Sequence, residues 1–591
     1  MKLVLRFLQL KDKLALFVCL VCVTVQSWLE LKIPEFISEI TLRVQSGGVQ
    51  SGDLARPVLL MLACAFGGLF ISVLSSYCIS GMSSNLTTNM RSAVFKKTMA
   101  FSLGEMGRFG SASLITRCTK NINYVYQFWA NGALFLMKAA VLAPLAIIKM
   151  SGSHPAWLGS TAVSVVLMLV IMALVFIFTV PRMIRLQTCT DDENRFISEH
   201  WSGIRVMHAF NADKYEEKRF AGTNSKLTAL SVSIDRGMAF LLPGMITVIF
   251  MLTIAIYWIG AKLIAGDAPA DRAADYANMI AFSSYAILCV QAFVALVNGL
   301  IQVPGFVSSV KRIREVLDSD ISVKDGSGAE ANGNAPYSVE FRNVSFRYPG
   351  AAADAVSNVS FTAKPGETVA FIGATGCGKT TLLNLIPRLY DATEGEVLIN
   401  GADVREYKIK DLRDLIGYVP QKANLFARTI EQNINFGDSG KEITHADVVR
   451  AAQIGQAEEF IFHKPEGYGA QVLPGGSNFS GGQKQRLTIS RAVCRDPQIY
   501  LFDDSFSALD FRTDKKLRSE LRKHAKGATV LIVAQRISTI RNADKIIVLD
   551  SGKAAGCGKH EELLKTCPIY REIAETQQID VSFTGKEACG V

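Results

Sequence analysis

The stretch that decides the fold is Gly373-Ala-Thr-Gly-Cys-Gly378-Lys379-Thr380. It matches the pattern G-x-x-x-x-G-K-[ST], in which the backbone N–H groups of a glycine-rich loop wrap phosphate groups. The apolar strand Thr368-Val-Ala-Phe-Ile precedes it, and a helix is predicted to begin near Thr381. Strand, loop and helix together predict an α/β nucleotide-binding domain. We expect Lys379 to neutralise the β- and γ-phosphates and Thr380 to ligate Mg²⁺.

A second apolar strand is predicted at Gln498-Ile-Tyr-Leu-Phe, and it ends in the acidic pair Asp503-Asp504. In P-loop domains, an acid at the end of such a strand holds Mg²⁺. We therefore expect Asp503 to bind the same metal ion as Thr380, with a water molecule between Asp503 and the metal. The presence of both motifs, each after a strand, argues against a chance glycine-rich turn.

Hydrophobic residues make up 49% of the 591 residues, and the mean hydropathy of +0.24 is high for a soluble protein. The long uncharged stretches are concentrated in the first half, and a membrane helix needs about 20 mostly apolar residues. Six stretches qualify, near 14–37, 57–80, 125–148, 157–180, 237–261 and 276–303. The formal net charge of +10 does not indicate nucleic acid, because many of the cations flank the apolar stretches and would face anionic lipid.

Lys and Arg collect after the second, fourth and sixth predicted spans. The positive-inside rule then predicts that both termini and the α/β domain are cytoplasmic. We expect a multi-pass protein of the plasma (inner) membrane. The segments after the second and fourth spans are predicted to continue as helices beyond the bilayer. Their turns are expected around Gly104–Gly110 and Asn211–Phe220.

Composition predicts four regions along the chain. A transmembrane domain with two long intracellular extensions covers 1–317, and a linker rich in Gly, Ala, Asn, Ser and Asp covers 318–336. The α/β domain covers 337–576. The last residues, 577–591, show no periodicity and are predicted to be disordered.

Between the two phosphate motifs lies Ser480-Gly481-Gly482-Gln483, about 20 residues before Asp503. In this position it resembles the signature sequence of ABC ATPases, and over nearly its whole length the chain is similar to half of a type IV ABC exporter. The resemblance implies a six-helix membrane domain followed by an α/β P-loop ATPase domain. Two such ATPase domains close head to tail around two ATP molecules, and the signature of each completes the other's site.

The resemblance also assigns roles to individual residues. Tyr348 resembles the aromatic residue that stacks on adenine, Gln421 the Q-loop glutamine, and Asp510 the acid of the D-loop. The implied cofactors are ATP and Mg²⁺, with Mg²⁺ held by Thr380, Gln421 and Asp503. The implied nucleotide-binding residues are Tyr348, Gly373, Ala374, Thr375, Gly376, Cys377, Gly378, Lys379, Thr380, Thr381, Ser480, Gly481, Gly482, Gln483 and Asp510. The implied catalytic positions are Asp504, Gln535 and Gln421.

Two catalytic positions depart from the family pattern. The family has Glu after the metal-binding Asp and His in the H-loop, whereas this chain has Asp504 and Gln535. The carboxylate of Asp lies more than about 1 Å short of the attacking water, and a misplacement of about 1 Å can cost roughly 10²-fold in rate. The Gln535 amide can hydrogen-bond phosphate, but it cannot carry charge or relay a proton. Pro474 also stands where the family often has an acid that contacts the extensions.

These departures, together with an intact signature, predict a degenerate site that binds ATP and hydrolyses it slowly. The expected partner is a non-identical ABC half-transporter with Glu and His at the matching positions. The alternatives are a homodimer with two slow sites, and an ATP-gated channel or regulatory membrane protein.

The membrane half says little about the cargo. Its few charges favour an amphipathic or apolar cargo, such as a drug-like molecule, a lipid or a peptide. Lys138 lies deep in the third predicted span. It is either a functional group or a lysine whose ammonium reaches the interface.

Overall fold

The computed structural model describes residues 2–45, 51–266, 272–328, 337–438 and 440–577. The linker residues 329–336 and the predicted tail 577–591, except for its first residue Gln577, lie outside this set. The chain divides into two compact units. The first contains Met1–Lys97 and Ala112–Ser319, and the second contains Thr98–Ser111 and the chain from Asp320 onward.

Long helices build the first unit. In chain order, and including the segment of the second unit that interrupts them, the helices are α1 (Lys2–Arg6), α2 (Leu10–Gln45), α3 (Ser51–Met99), α4 (Leu103–Phe109), α5 (Ser111–Cys118), α6 (Lys120–Gln127), α7 (Ala133–Met150), α8 (Pro155–Ser202), α9 (Ile204–Ala209), α10 (Asp213–Ala239), α11 (Leu241–Gly266) and α12 (Arg272–Leu317). A π-helical turn, Phe128–Gly132, joins α6 to α7.

Within the described residues, six helical stretches are long and apolar enough to cross a membrane. They are Leu10–Gln45, Leu54–Met99, Ser111–Met150, Pro155–Ser202, Asp213–Gly266 and Arg272–Leu317. Each contains one of the six predicted spans, so the all-α membrane domain is confirmed. The helices after the second and fourth spans continue about 20 residues beyond the apolar stretch, as the sequence predicts.

The second unit is an α/β domain with two sheets. Its strands are β1 (Val339–Phe346), β2 (Val356–Ala363), β3 (Thr368–Gly373), β4 (Glu394–Ile399), β5 (Ala402–Asp403), β6 (Ile416–Val419), β7 (Ile499–Asp503), β8 (Thr529–Val533), β9 (Lys545–Asp550) and β10 (Lys553–Gly558). An antiparallel sheet has the order β2-β1-β4-β5, and a six-stranded sheet has the order β10-β9-β3-β8-β7-β6. All pairs in the larger sheet are parallel except β9 with β10.

Helices surround the larger sheet. They are α13 (Lys379–Leu385), α14 (Ile409–Asp414), α15 (Ile430–Ile434), α16 (His445–Ile454), α17 (Glu458–Phe462), α18 (Gly481–Cys494), α19 (Phe511–His524), α20 (Ile537–Ile540), α21 (His560–Thr566) and α22 (Pro568–Thr576). Every residue of β7 and β8 is buried, as expected for parallel strands covered on both faces. In β3, Phe371 packs into one hydrophobic core, and Ala370 and Ile372 pack into the other.

The first predicted turn forms α4, which belongs to the second unit. Ser102 and Glu105 make a capping box: the Ser102 hydroxyl accepts from the N–H of Gly104 at 3.1 Å, and the Glu105 carboxylate accepts from the N–H of Ser102 at 2.8 Å. Glu105 also accepts from the N–H of Ser322 at 3.2 Å. Burial raises the pKa of the Glu105 carboxyl, but the hydrogen bonds from Ser102 and Ser322 outweigh it and leave the pKa below its ordinary value. Glu105 therefore ties α4 to the segment that leads into the α/β domain.

The described part of the predicted linker runs along the segment before α14. The N–H groups of Gly326 and Gly328 donate to the carbonyl oxygens of Tyr407 and Glu406 at 3.1 and 2.9 Å. A Cβ on Gly326 would lie 2.4 Å from the Glu406 backbone, so this close approach requires glycine. Asp325 accepts from the N–H of Ile409, the first residue of α14, at 2.8 Å. These contacts hold residues 325–328 against the domain.

The second turn overlaps only the start of its predicted position at Asn211–Phe220, because residues from Asp213 onward are helical. The structure places the short helix α9 at Ile204–Ala209 and resumes the long helix at Asp213. Asp213 and Glu216 lie in the first turn of α10, where negative charge stabilises a helix N-terminus. Asn211 has a φ of +50°, a conformation that Asn adopts more readily than most residues and that turns the chain between α9 and α10.

Lys138 is paired inside the bundle. Its ammonium lies 2.9 Å from the carboxylate of Glu30, which joins α7 to α2. A second pair, Lys149 with Glu35 at 2.6 Å, joins the same helices. The side chains of Lys138 and Glu30 are 32% and 24% exposed. The structure therefore shows Lys138 in an ion pair that joins two helices.

Replacing Lys138 by Met should lower the free energy of unfolding by about 1–2 kcal/mol. Breaking a buried pair costs about 3–5 kcal/mol because one charge is left alone, and partial exposure reduces that cost. Adding Glu30→Gln should recover part of the loss. Thermal unfolding of the purified chain in detergent measures both effects. Lys262→Met, which removes a lysine 5.2 Å from the Trp258 ring, is the control, and a Lys138→Met chain as stable as the parent would contradict the prediction.

Candidate nucleotide site

The larger sheet brings the predicted site segments to one edge. Gly373 ends β3, Asp503 ends β7 and Val533 ends β8, and Asp503 lies opposite Val533 in parallel register. Strand β8 lies between β3 and β7, and β6 lies on the far side of β7. Ligands of open α/β sheets bind at the carboxyl ends of parallel strands. The glycine-rich loop, the acidic pair and the segment of Gln535 therefore start from neighbouring strand ends.

The glycine-rich loop has the backbone that its sequence predicts. Gly376 and Gly378 have φ values of +85° and +98°, a region that favours glycine. A Cβ on Gly378 would lie 2.6 Å from the carbonyl oxygen of Ala355. Cys377 is buried, whereas Ala374 and Thr375 are exposed. Thr381 is buried in the first turn of α13.

Lys379 folds back across its own loop. Its ammonium donates to the carbonyl oxygens of Gly373 and Ala374 at 2.8 and 2.7 Å, and the side chain is buried. The Lys379 backbone begins α13, and its side chain carries the charge back to the start of the loop. This arrangement places a fixed cation beside the N–H groups that would surround phosphate.

Thr380 and Asp503 meet, as the two motifs predict. The Thr380 hydroxyl donates to the Asp503 carboxylate at 2.9 Å. Burial raises the pKa of Asp503, and this hydrogen bond counteracts the rise. Hydroxyl and carboxylate oxygens are the ligands that Mg²⁺ prefers, with waters and substrate phosphates completing its shell. The pair therefore fits a magnesium ion bound together with a nucleotide.

Asp504 is buried next to Asp503 and is held by two amides. The Gln535 side chain donates to its carboxylate at 2.8 Å, and the Gln421 side chain approaches the same oxygen at 3.4 Å. Asp504 has a φ of +46°, and its N–H donates to the Val533 carbonyl at 2.9 Å. Burial raises the pKa of Asp504, whereas the hydrogen bond from Gln421 and the charge of Lys379 lower it. The three predicted catalytic positions thus converge on one carboxylate.

Tyr348 lies beside the start of α13. Its hydroxyl is 2.9 Å from the Thr381 hydroxyl, and its ring packs edge-on against Tyr390 at 5.4 Å. A ring in this position, next to the glycine-rich loop, offers a face for a base.

The signature caps a helix that begins at an exposed corner of the domain. Ser480 is the N-cap of α18, and it forms a capping box with Gln483: the Ser480 N–H donates to the Gln483 side chain at 3.0 Å. Ser480 and Gly481 are exposed. The signature is therefore internally ordered and accessible.

Asp510 has a local structural task in addition to its predicted one. It is the N-cap of α19 and accepts from the N–H of Thr513 at 2.9 Å. Backbone and side-chain hydrogen bonds from Thr513 lower the pKa of its carboxyl. The sequence reasoning overlooked this role, although Asp three residues before Thr is a recognisable capping pattern. It also overlooked Gln577, which hydrogen-bonds the segment of Gln535; the sequence around Gln577 carries no signal for this contact.

Family models match both halves of the chain. The model described as "ABC transporter" matches residues 356–507, and the model described as "ABC transporter transmembrane region" matches residues 16–293.

The chain belongs to the ABC transporter family. It is similar to an uncharacterized ABC transporter ATP-binding protein of Mycobacterium tuberculosis, with 34% identity over 567 residues, 93% of this chain and 94% of the relative. It is also similar to an ATP-dependent lipid A-core flippase of Pseudomonas aeruginosa, with 30% identity over 515 residues, 86% and 83% of the two chains.

The solved structure of a bacterial Atm1-family ABC exporter with ATP bound has the same fold. The TM-score is 0.80 at 24% identity, over 98% of this chain and 99% of the other. The ABC transporter half described here is thus an integral, multi-pass membrane protein with the type IV exporter fold. Its ATP-binding domain belongs to a family that couples ATP hydrolysis to transport.

Gly378→Ala should destabilise the ATP-binding domain by about 2–4 kcal/mol. A left-handed backbone costs a residue with a Cβ about 1–2 kcal/mol, and the contact with Ala355 adds the cost of overpacking. Gly376→Ala is the matched control, because its φ is also positive but its Cβ would meet no atom within 4 Å. Thermal unfolding of the two variants compares them. Equal stability of the two variants would show that the close approach to Ala355 is unimportant.

Proposed function

We propose that this chain is the degenerate-site half of a heterodimeric ABC exporter that moves an amphipathic or hydrophobic substrate out of the cytoplasm. Its partner is a second, non-identical half with Glu and His at the positions of Asp504 and Gln535. ATP and Mg²⁺ bind at Tyr348, the glycine-rich loop, Thr380, Gln421 and Asp503. The site on this chain holds nucleotide and hydrolyses it slowly.

The observation that carries the proposal is the environment of Asp504. The Asp504 side chain is shorter than that of the Glu found in the family. Its carboxylate also accepts a hydrogen bond from Gln535 at 2.8 Å. In place of an imidazole that carries charge, it faces an amide that does not titrate. An attacking water would therefore have a base that is both further away and less available. A site of this kind is suited to retaining ATP.

Two exposed surfaces favour the proposal that a second chain binds this one. The signature at Ser480 and Gly481 is exposed and ordered, and a signature acts on the nucleotide of the other domain in this family. Around α9, large side chains are exposed: Trp201 at 76%, Phe210 at 79% and Tyr215 at 71%. Apolar side chains concentrated at the tip of a long helical extension fit a protein partner better than water.

The membrane half supports an apolar or amphipathic cargo. The charges of Glu30 and Lys138 compensate each other, which leaves a bundle that is mostly apolar. The similarity to lipid A-core flippases makes a lipid the first cargo to test. The concentration of Lys and Arg after the second, fourth and sixth spans supports a plasma (inner) membrane protein with cytoplasmic termini and ATPase domain.

ATP hydrolysis by purified subunits tests the proposal. The chain alone should hydrolyse ATP far more slowly than the roughly 10 s⁻¹ that is the median turnover of enzymes. Together with its partner, the variant Asp504→Glu with Gln535→His should raise the rate by about tenfold or more, since the base regains its reach. Because Asp504 has a positive φ, the same variant should lose about 1 kcal/mol of stability.

Asp514→Glu is the matched control. Asp514 and Asp504 are both 8% exposed, but Asp514 pairs with Arg518 at 2.7 Å. This control should leave the rate unchanged. Rapid hydrolysis by the chain alone, with a stoichiometry of two identical subunits, would favour the homodimer. ATP-dependent lipid movement in inverted vesicles, compared with passive conductance, separates an exporter from a channel.

A further inference from the structure

The segment that carries Gln535 leaves the larger sheet just before it reaches the site. The last sheet-like bond on this side joins the N–H of Ala534 to the Phe371 carbonyl at 3.1 Å. The short helix α20 begins two residues after Gln535, and the side chain of its N-cap residue, Arg536, makes no capping hydrogen bond. Helix N-termini leave N–H groups without an internal partner. The backbone around Gln535 therefore needs support from elsewhere in the domain.

The side-chain amide of Gln577 supplies that support. Its Nε2 donates to the carbonyl oxygen of Gln535 at 2.7 Å, and its Oε1 accepts from the N–H of Ile537 at 2.8 Å. The nitrogen and the oxygen of the Gln577 side-chain amide thus both bond the backbone between Gln535 and Ile537. The second bond satisfies one of the N–H groups at the start of α20 that have no partner within the helix.

Gln577 is held by a rigid platform. It follows α22, in which Tyr570 and Ala574 are fully buried in the core of the domain. The Tyr570 hydroxyl is 2.8 Å from His560 Nδ1, and the Arg571 guanidinium donates to the Leu564 carbonyl at 3.0 Å. These contacts fix α22 against α21. A displacement of Gln577 would therefore require movement of a packed helix.

We infer that Gln577 is a positioning residue that sets the place of Gln535 in the nucleotide site. Gln577 donates a hydrogen bond to the backbone carbonyl of Gln535, and the Gln535 side chain donates to the Asp504 carboxylate at 2.8 Å. The inference deepens the proposed function: it rests on the nucleotide site given there and on the hydrogen bond from Gln535 to phosphate that the sequence analysis expects. The C-terminal helices thereby control the geometry of the site from more than 40 residues away in the sequence.

Hydrogen–deuterium exchange of the full-length, nucleotide-free chain tests the contact itself. Gln577→Ala should speed exchange in residues 534–541, because the N–H of Ile537 loses its acceptor. Thr576→Ala is the matched control, since it removes only the bond from the Thr576 hydroxyl to the Glu572 carbonyl within α22. Unchanged exchange in the Gln577→Ala chain overturns the inference and leaves the proposed function untouched.

Equilibrium binding of ATP and ADP tests what the contact does. Gln535→Ala and Gln577→Ala should each lower the preference for ATP over ADP by about fivefold, as expected when a hydrogen bond of about 1 kcal/mol to the γ-phosphate is lost. The double variant should match Gln535→Ala alone, because both changes act through one side chain. Additive losses, or an unchanged preference in either single variant, overturn the positioning role. The binding ratio requires no hydrolysis, so it remains decisive if the chain proves to be a fast ATPase.

Discussion

The carboxylates of Asp503 and Asp504 stand side by side at the end of a fully buried parallel strand, and burial alone disfavours their charges. Each carboxylate is kept in place by a different set of donors. Thr380 holds Asp503, whereas Gln535 and Gln421 hold Asp504. The loops that carry Thr380, Gln421 and Gln535 each bring one hydrogen-bond donor to the edge of the sheet where the two buried carboxylates lie.

The chemical character of the site follows from the difference between the two carboxylates. Asp503 has a hydroxyl partner and a nearby lysine, which is a setting for a metal ion with a nucleotide. Asp504 has amide partners that neither titrate nor carry charge. A neighbouring cation such as an imidazolium would stabilise the negative charge that develops on the phosphate. A neutral amide stabilises that charge less. This difference between the two carboxylates is the basis for the proposal that the site retains nucleotide and hydrolyses it slowly.

The second unit also contains α4, the turn between the extensions of the second and third membrane helices. Glu105 joins α4 to Ser322, so a turn between two membrane helices and the segment that enters the α/β domain share one carboxylate. The tip around α9 has a different character, with exposed aromatic side chains. The turn that contains α4 thus makes its hydrogen bonds within its own chain, whereas the turn around α9 presents apolar surface. This asymmetry is the structural reason to regard the chain as one half of a larger assembly.

The sequence by itself determined the class of fold and the chemistry of the loop. Gly373 to Thr380 is a local pattern whose backbone demands are met by neighbouring residues, and six apolar stretches are long enough to cross a bilayer whatever they pack against. The substitution of Asp504 and Gln535 for the family residues was also readable from the sequence. The second turn was predicted to extend from Asn211 to Phe220, but α10 begins at Asp213, where Asp213 and Glu216 stabilise the start of the helix.

Only the tertiary structure decided which distant groups meet. The pairs Lys138 with Glu30, Glu105 with Ser322 and Gln577 with Gln535 join residues separated by between 42 and 217 positions. A hydrogen bond between such residues depends on the packing of whole helices and strands, and it leaves no periodic or local mark in the sequence. Local patterns therefore identified the parts of the site, and packing set the distances between them.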